Sequence, residues 1–122
     1  MSKKHSFTKY ENELLPAFRQ KLNLAESTED VKKFFTYTMQ DLFKRIFEQD
    51  IDLVYEDIAL TPDMEHPVTI SDRIRSLDSF QDLQDNSDLP HVIDRMARAA
   101  LNRHKHLGRN PEKTEAKIRF GG

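Results

Sequence analysis

The sequence contains no cysteine and very little glycine. Only three glycines occur among 122 residues, at positions 108, 121 and 122. Without cysteine, neither a disulfide framework nor a thiolate metal site can form. Loops that hold phosphate groups need glycine between a strand and a helix, because backbone amides must approach the ligand closely. A Walker loop, a dinucleotide-binding fingerprint and the glycine-flanked serine of hydrolases are therefore excluded.

Long apolar runs are also missing from the sequence. No stretch of about eighteen consecutive apolar residues occurs, so we expect no membrane span. Residues 1–6 are polar and partly charged, and no apolar run follows them, which is not the pattern of a signal peptide. Together these features predict a cytoplasmic protein.

The length and composition indicate one small domain. A chain of 122 residues is long enough to bury an apolar core without disulfides or metal ions. Hydrophobic residues make up only 37% and charged residues 33%, which favours a thin helical structure or a partner that covers apolar surface. We expect a single helical domain over residues 1–109 and a polar, flexible tail over residues 110–122.

The charged residues are segregated along the chain. Residues 1–47 carry nine Lys or Arg and six Asp or Glu, a net charge of +3. Residues 48–94 carry two basic and thirteen acidic residues, a net charge of −11, and residues 95–122 carry eight and two, a net charge of +6. This pattern indicates either attraction between the blocks within one fold or a charged partner, which could be a nucleic acid or another protein.

The first half of the chain predicts two helices. Apolar residues recur at helical spacing over residues 7–22, where Pro16 should kink the helix or mark its start. Residues 27–47 give the strongest helical pattern, with Ser27 or Thr28 as its cap. Its apolar stripe is typical of a core helix, and the alternative is a dimer interface. We call these residues the core stripe: Phe34, Phe35, Met39, Leu42, Phe43, Ile46 and Phe47.

The second half is less regular. Residues 51–70 fit either a short β-hairpin or an irregular connection. Ser71 should cap a helix with a narrow apolar edge that reaches Phe80 or Leu83. A last helix is expected from about Pro90 to Leu107, with Gly108 in the left-handed conformation after its end. The predicted fold is therefore mainly α, with three or four helices.

The last helix carries a cationic face that could bind nucleic acid or an acidic protein. The alternative is that this face is solvated or pairs with Asp78, Asp82 and Asp85 on the preceding helix. Arg103 departs from the pattern, because it projects into the apolar side. We call these residues the basic face: His91, Arg95, Arg98, Asn102, Lys105 and Arg109.

Catalytic and metal-binding patterns are weak. Carboxylates are plentiful in residues 48–66, and an acidic cleft there would be needed for acid–base chemistry. The Asp-x-x-His pairs that begin at Asp63 and Asp88 lack the spacing of zinc sites, so neither a metal nor a cofactor is expected. The sequence predicts a small helical protein-interaction or adaptor module that binds another protein or itself. Nucleic-acid binding by the basic face and an enzyme with an acidic cleft are the alternatives.

Overall fold

The computed structural model describes residues 6–48 and 51–109, and within them the predicted mainly α fold with a hairpin is confirmed. The helices are α1 (Thr8–Leu24), α2 (Thr28–Phe47), α3 (Asp72–Arg75), α4 (Asp78–Asn86) and α5 (Leu89–Arg109). A 3-10 turn at Tyr55–Asp57 leads into strand β1 (Ile58–Leu60), which is followed by strand β2 (Val68–Ile70). Residues 110–122, predicted to be a tail, lie outside the described residues.

Helix α2 lies at the centre of the fold and contacts α1, α5 and β1. Ser27 caps it as predicted, because its side-chain oxygen accepts a hydrogen bond from the backbone N–H of Asp30. Within the core stripe, Phe34 and Ile46 are half-buried at the edges, and the other five residues are buried. The stripe is therefore covered inside one copy of the chain.

The two strands form the antiparallel hairpin that was one of the two alternatives for residues 51–70. Ile58 pairs with Ile70, and Leu60 pairs with Val68. On its other side, β1 faces α2, where the Thr36 hydroxyl donates a hydrogen bond to the Ile58 carbonyl at 3.1 Å. The hairpin is thereby fixed against the central helix.

The single helix predicted after Ser71 is instead two helices. Ser71 caps α3 by accepting from the N–H of Ile74, as predicted, but Leu77 adopts an extended conformation and ends the helical path. The Gln81 side chain then donates to the carbonyl of Arg75 at 2.9 Å, which gives the end of α3 a hydrogen-bond partner. This bond depends on the position of α4. The spacing of apolar residues after Ser71 therefore did not indicate the break between α3 and α4.

Two smaller expectations about helix ends need correction. Gly108 lies within α5 and does not have positive φ, because the helix continues to Arg109 while Leu107 packs against the core. Pro16 does not mark the start of α1, since the helix begins at Thr8 and continues through Pro16.

Candidate functional site

An ion pair with a buried carboxylate joins α1 to α5. Arg95 donates two hydrogen bonds to the Glu11 carboxylate, at 2.9 and 2.7 Å. Glu11 is only 5% exposed. The hydrogen bonds between Arg95 and Glu11 raise the pKa of the Arg95 guanidinium above the ordinary value for arginine. Arg95 belongs to the basic face, but its charge is committed to holding the two helices together.

Asp57 is the buried carboxylate of the acidic middle block. It accepts hydrogen bonds from the Ser71 hydroxyl and the Val54 N–H, at 2.7 and 2.8 Å, and it forms an ion pair with Arg73. Burial raises the pKa of this carboxyl, but the hydrogen bonds from Arg73, Ser71 and Val54 outweigh that effect and lower it. Its oxygens are thus occupied by partners that fasten the 3-10 turn to the start of α3.

Asp88 connects the start of α1 to the start of α5. Its carboxylate accepts from the Phe7 N–H at 2.7 Å and from the hydroxyls of Ser6 and Thr8, at 3.0 and 3.1 Å. Burial raises the pKa of Asp88, but these hydrogen bonds outweigh burial and lower it. The carboxylate also lies at the positive end of the α1 dipole, so its role is structural.

The rest of the basic face lies on the surface of α5. His91, Arg98, Asn102 and Lys105 are exposed, and the side chain of Arg109 lies outside the described part of the chain. Arg98 pairs with Asp94 one turn earlier, at 3.1 Å.

Pairing of the basic face with Asp78, Asp82 and Asp85 was one alternative, and no ion pair of this kind occurs within the described ranges. Among the described residues, the ion pair that joins residues 48–94 to residues 95–109 is Arg98 with Asp94, within one helix. Arg95 is held by Glu11 of the first block instead. Most of the acidic charge of the middle block is therefore exposed and not neutralised by the basic helix.

Arg103, which broke the apolar pattern, stabilises the end of α1. It donates to the carbonyls of Asn23 and Ala25, at 3.3 and 3.1 Å, where helical carbonyls lack partners within the helix. A groove of about 310 Å³ lies beside it between α1 and α5, and its polar lining includes Arg19, Asn102 and His106. This groove and the exposed cations of α5 form one positively charged region.

An exposed aromatic cluster lies on the opposite side of the central helix from the core stripe. Tyr37 is 47% exposed, Tyr55 42% and Val54 44%, and the two rings meet edge to face with centroids 5.7 Å apart. We call these three residues the tyrosine patch. This patch was not predicted from the sequence, although Tyr37 is an aromatic residue outside the apolar stripe of α2.

A groove of about 690 Å³ begins at the tyrosine patch. Tyr37 lines it, and so do the apolar side chain of Leu53 and the charged side chains of Lys21, Lys44 and Asp52. Gln40 of α2 donates to the Leu53 carbonyl at 3.0 Å, which fixes one wall of the groove against the helix. The patch and groove together offer aromatic surface next to charges of both signs.

The carboxylates of residues 48–66 do not form a buried acid–base pair among the described residues. Glu48 and Asp52 line the 690 Å³ groove but are exposed, as are Glu56, Asp63 and Glu65, and Asp50 lies outside the described residues. A catalytic carboxyl usually needs a cleft that shields it from water. Asp57 has that shielding, but its oxygens are already bonded.

Within the described ranges, no cluster of three or more histidine or acidic side chains is arranged to hold a metal ion. No helix in those ranges is long and apolar enough to span a bilayer. Comparison with protein-family models, characterised proteins and solved structures gives no match for this chain.

Proposed function

We propose that this chain is a small helical protein-interaction module whose tyrosine patch contacts the partner. The observation that carries the proposal is the exposure of Tyr37, Val54 and Tyr55 together on one face. Tyrosine is enriched where protein interfaces gain most of their binding energy, because its ring supplies large contact area and its hydroxyl tolerates water. A partner chain could bury the rings while its polar groups meet the charged rim of the adjoining groove.

The structural roles of three carboxylates support a binding function over a catalytic one. Glu11, Asp57 and Asp88 are each engaged by partners that join elements of the fold. The five buried residues of the core stripe also leave little apolar surface there for self-association. Binding through the tyrosine patch needs neither a catalytic group nor a second copy of the core.

The test is quantitative capture of native partners with three forms of the chain. We expect proteins retained by the wild type to be lost with the double variant Tyr37→Ser/Tyr55→Ser, because each ring contributes contact area in a fully buried interface. The matched control is Leu24→Ser, which removes an apolar residue that is 69% exposed and lies outside the patch. Capture is done after nuclease treatment and read by mass spectrometry. If the double variant retains the same proteins as the wild type and Leu24→Ser, the proposal is wrong.

Nucleic-acid binding is the second candidate, and the positively charged region between α1 and α5 favours it. Arg19, Asn102, Arg103 and His106 line one groove, and exposed cations continue along α5. Phosphate groups bind such surfaces mainly through counterion release, which makes affinity fall steeply with salt.

Nucleic-acid binding can be tested by reversing the charge of exposed cations on α5. Arg95 is left unchanged in this test, because its side chain holds Glu11. We expect Arg98→Glu/Lys105→Glu to weaken binding to a labelled duplex and to reduce the salt dependence by about one unit of slope per lost phosphate contact. The control is the double variant Arg75→Glu/Lys9→Glu, which changes the net charge by the same amount at exposed positions outside α5. Equal affinity and equal salt dependence in all three proteins would rule out this surface.

A further inference from the structure

The hydrogen bonds around the hairpin reveal which backbone groups of β2 face away from β1. The N–H of Thr61 donates to the Pro67 carbonyl at 2.7 Å, and the N–H of Ser71 donates to the Asp57 carbonyl at 2.8 Å. In an antiparallel pair, hydrogen-bonded and non-bonded residue pairs alternate. Thr69, midway between these two bonded pairs, therefore bonds to β1.

The backbone N–H and C=O groups of Val68 and Ile70 consequently point outward. Among residues 6–48 and 51–109 the sheet has two strands, so no further strand pairs with that edge. The outer edge of β1 is different, because the Thr36 hydroxyl of α2 bonds to the Ile58 carbonyl there. One edge of the hairpin is covered, and the other presents backbone groups that can pair with another chain.

A groove runs along this open edge. It has a volume of about 440 Å³, and its lining includes the three successive residues of β2, Val68, Thr69 and Ile70, together with Phe80 and Gln84 of α4. A second groove of about 230 Å³ shares Val68, Ile70 and Gln84 with the first and extends to α5. The edge therefore borders a partly apolar channel.

The carboxylates around the channel are Glu65, which lines the first groove, and Asp94, which lines the second and pairs with Arg98. His66 lines both grooves. Arg75 also lines the first groove, but it lies 4.0 Å from the Asp72 carboxylate. The channel belongs to residues 48–94, which carry a net charge of −11 and attract cations over a longer range.

We propose that the open edge of β2 binds an extended segment of a partner protein in which apolar and basic residues alternate. The segment adds a third strand to the hairpin through the outward groups of Val68 and Ile70. Side chains of an added strand alternate between faces, so one set lies on the apolar wall and the other reaches the acidic surroundings. This surface shares no residue with the tyrosine patch, and its test is independent of native capture.

The experiment measures binding of the full chain to a fluorescent synthetic peptide that alternates isoleucine and lysine. Two control peptides accompany it: one with glutamate in place of lysine, and one with a methyl group on every backbone nitrogen. We expect the parent peptide to bind, and each control to bind at least about tenfold more weakly, because it loses charge attraction or strand hydrogen bonds. Equal binding of either control overturns the proposal, and so does the absence of binding by the parent peptide.

Variants of the chain locate the site. Ile70→Pro removes one outward N–H, whereas Ile70→Val keeps it with a similar side chain. We expect the proline variant to bind about tenfold more weakly than the valine variant. Glu65→Lys should also weaken binding relative to Asp63→Lys, which changes a nearby exposed carboxylate that does not line either groove.

Amide hydrogen exchange of the wild-type chain tests whether the peptide pairs with β2, and it does not depend on the folding of any variant. With the parent peptide bound, the amides of Val68 and Ile70 should exchange more slowly, while the Thr69 amide, already bonded to β1, should change little. Unchanged exchange at both Val68 and Ile70, with the peptide bound, would place the peptide elsewhere.

Discussion

Glu11 and Asp57 are buried and Asp88 is half-buried, and each accepts hydrogen bonds from another element of the fold. Asp57 bonds residues 54, 71 and 73, and Asp88 bonds residues 6–8. Hydrogen bonds to an ionised carboxylate are stronger than those between neutral groups. The charged forms of Asp57 and Asp88 therefore stabilise the fold, and their contribution should depend on pH.

Asp88→Asn tests this dependence. The pKa of Asp88 is lowered in the fold, so its stabilisation is complete well above the ordinary value of 3.8 and is lost as the pH falls through the folded-state pKa. We expect the variant to lose about 1–3 kcal/mol of unfolding free energy at neutral pH. The difference from the wild type should shrink as the pH falls below 3.8, where the wild-type carboxyl also becomes protonated.

The measurement is denaturant unfolding of both proteins across that pH range. Asp85→Asn is the control, because Asp85 is an exposed carboxylate three residues before Asp88. A loss of stability that stayed constant across the titration would show that the Asp88 charge contributes nothing.

At the scale of the secondary-structure elements, α2 organises the core. Its buried face packs Phe43 against Phe47 and Phe80, with ring centroids 5.5 and 6.0 Å apart. Its exposed face carries Tyr37. One helix thus supplies both the centre of the fold and part of the proposed binding surface.

Two alanine substitutions in α2 should separate these roles. Phe43→Ala should cost about 3–5 kcal/mol of unfolding free energy, because it leaves a cavity among close-packed rings. Tyr37→Ala should cost less than about 1 kcal/mol, since nearly half of that side chain is already in water. Thermal and denaturant unfolding measure both. Similar costs at the two positions would mean that the two faces of α2 are misassigned.

The elements that could be predicted from sequence are those specified locally. The Ser27 cap accepts a hydrogen bond from the N–H of Asp30, only three residues away. The apolar residues of the core stripe recur at helical spacing within the same helix. The break at Leu77 and the role of Arg103 could not be predicted in this way. Arg103 bonds carbonyls at the end of α1, about 80 residues earlier, so its position on the apolar side looked like an exception.

The same limitation applied to the candidate site. The spacing of the basic face placed Arg95 among residues available to a ligand, but its partner Glu11 is 84 residues away. Tyr37 was visible as an aromatic residue outside the stripe of α2, yet its partner Tyr55 depends on the fold. The open edge of β2 depends on the hairpin register, and the sequence left that hairpin as one of two alternatives.

At the scale of the whole molecule, the segregated charges remain largely separate. The first and last blocks are joined by Glu11 and Arg95, while the acidic middle block keeps most of its charge at the surface. A surface of this kind attracts basic partners and repels acidic ones. The acidic hairpin region and the basic α5 therefore favour opposite classes of ligand on one small domain.

The connections of α1 also affect how the protein is made. Thr8, Glu11 and the end of α1 are held by Asp88, Arg95 and Arg103, which follow them by 80, 84 and about 80 residues. At translation rates of about 5–20 residues per second, the residues of α1 are synthesised about 4–16 s before these partners. During that interval the nascent helix lacks its cap and its ion-pair partner. A chain that stalled in translation before Asp88 would thus present an unanchored α1 to chaperones and proteases.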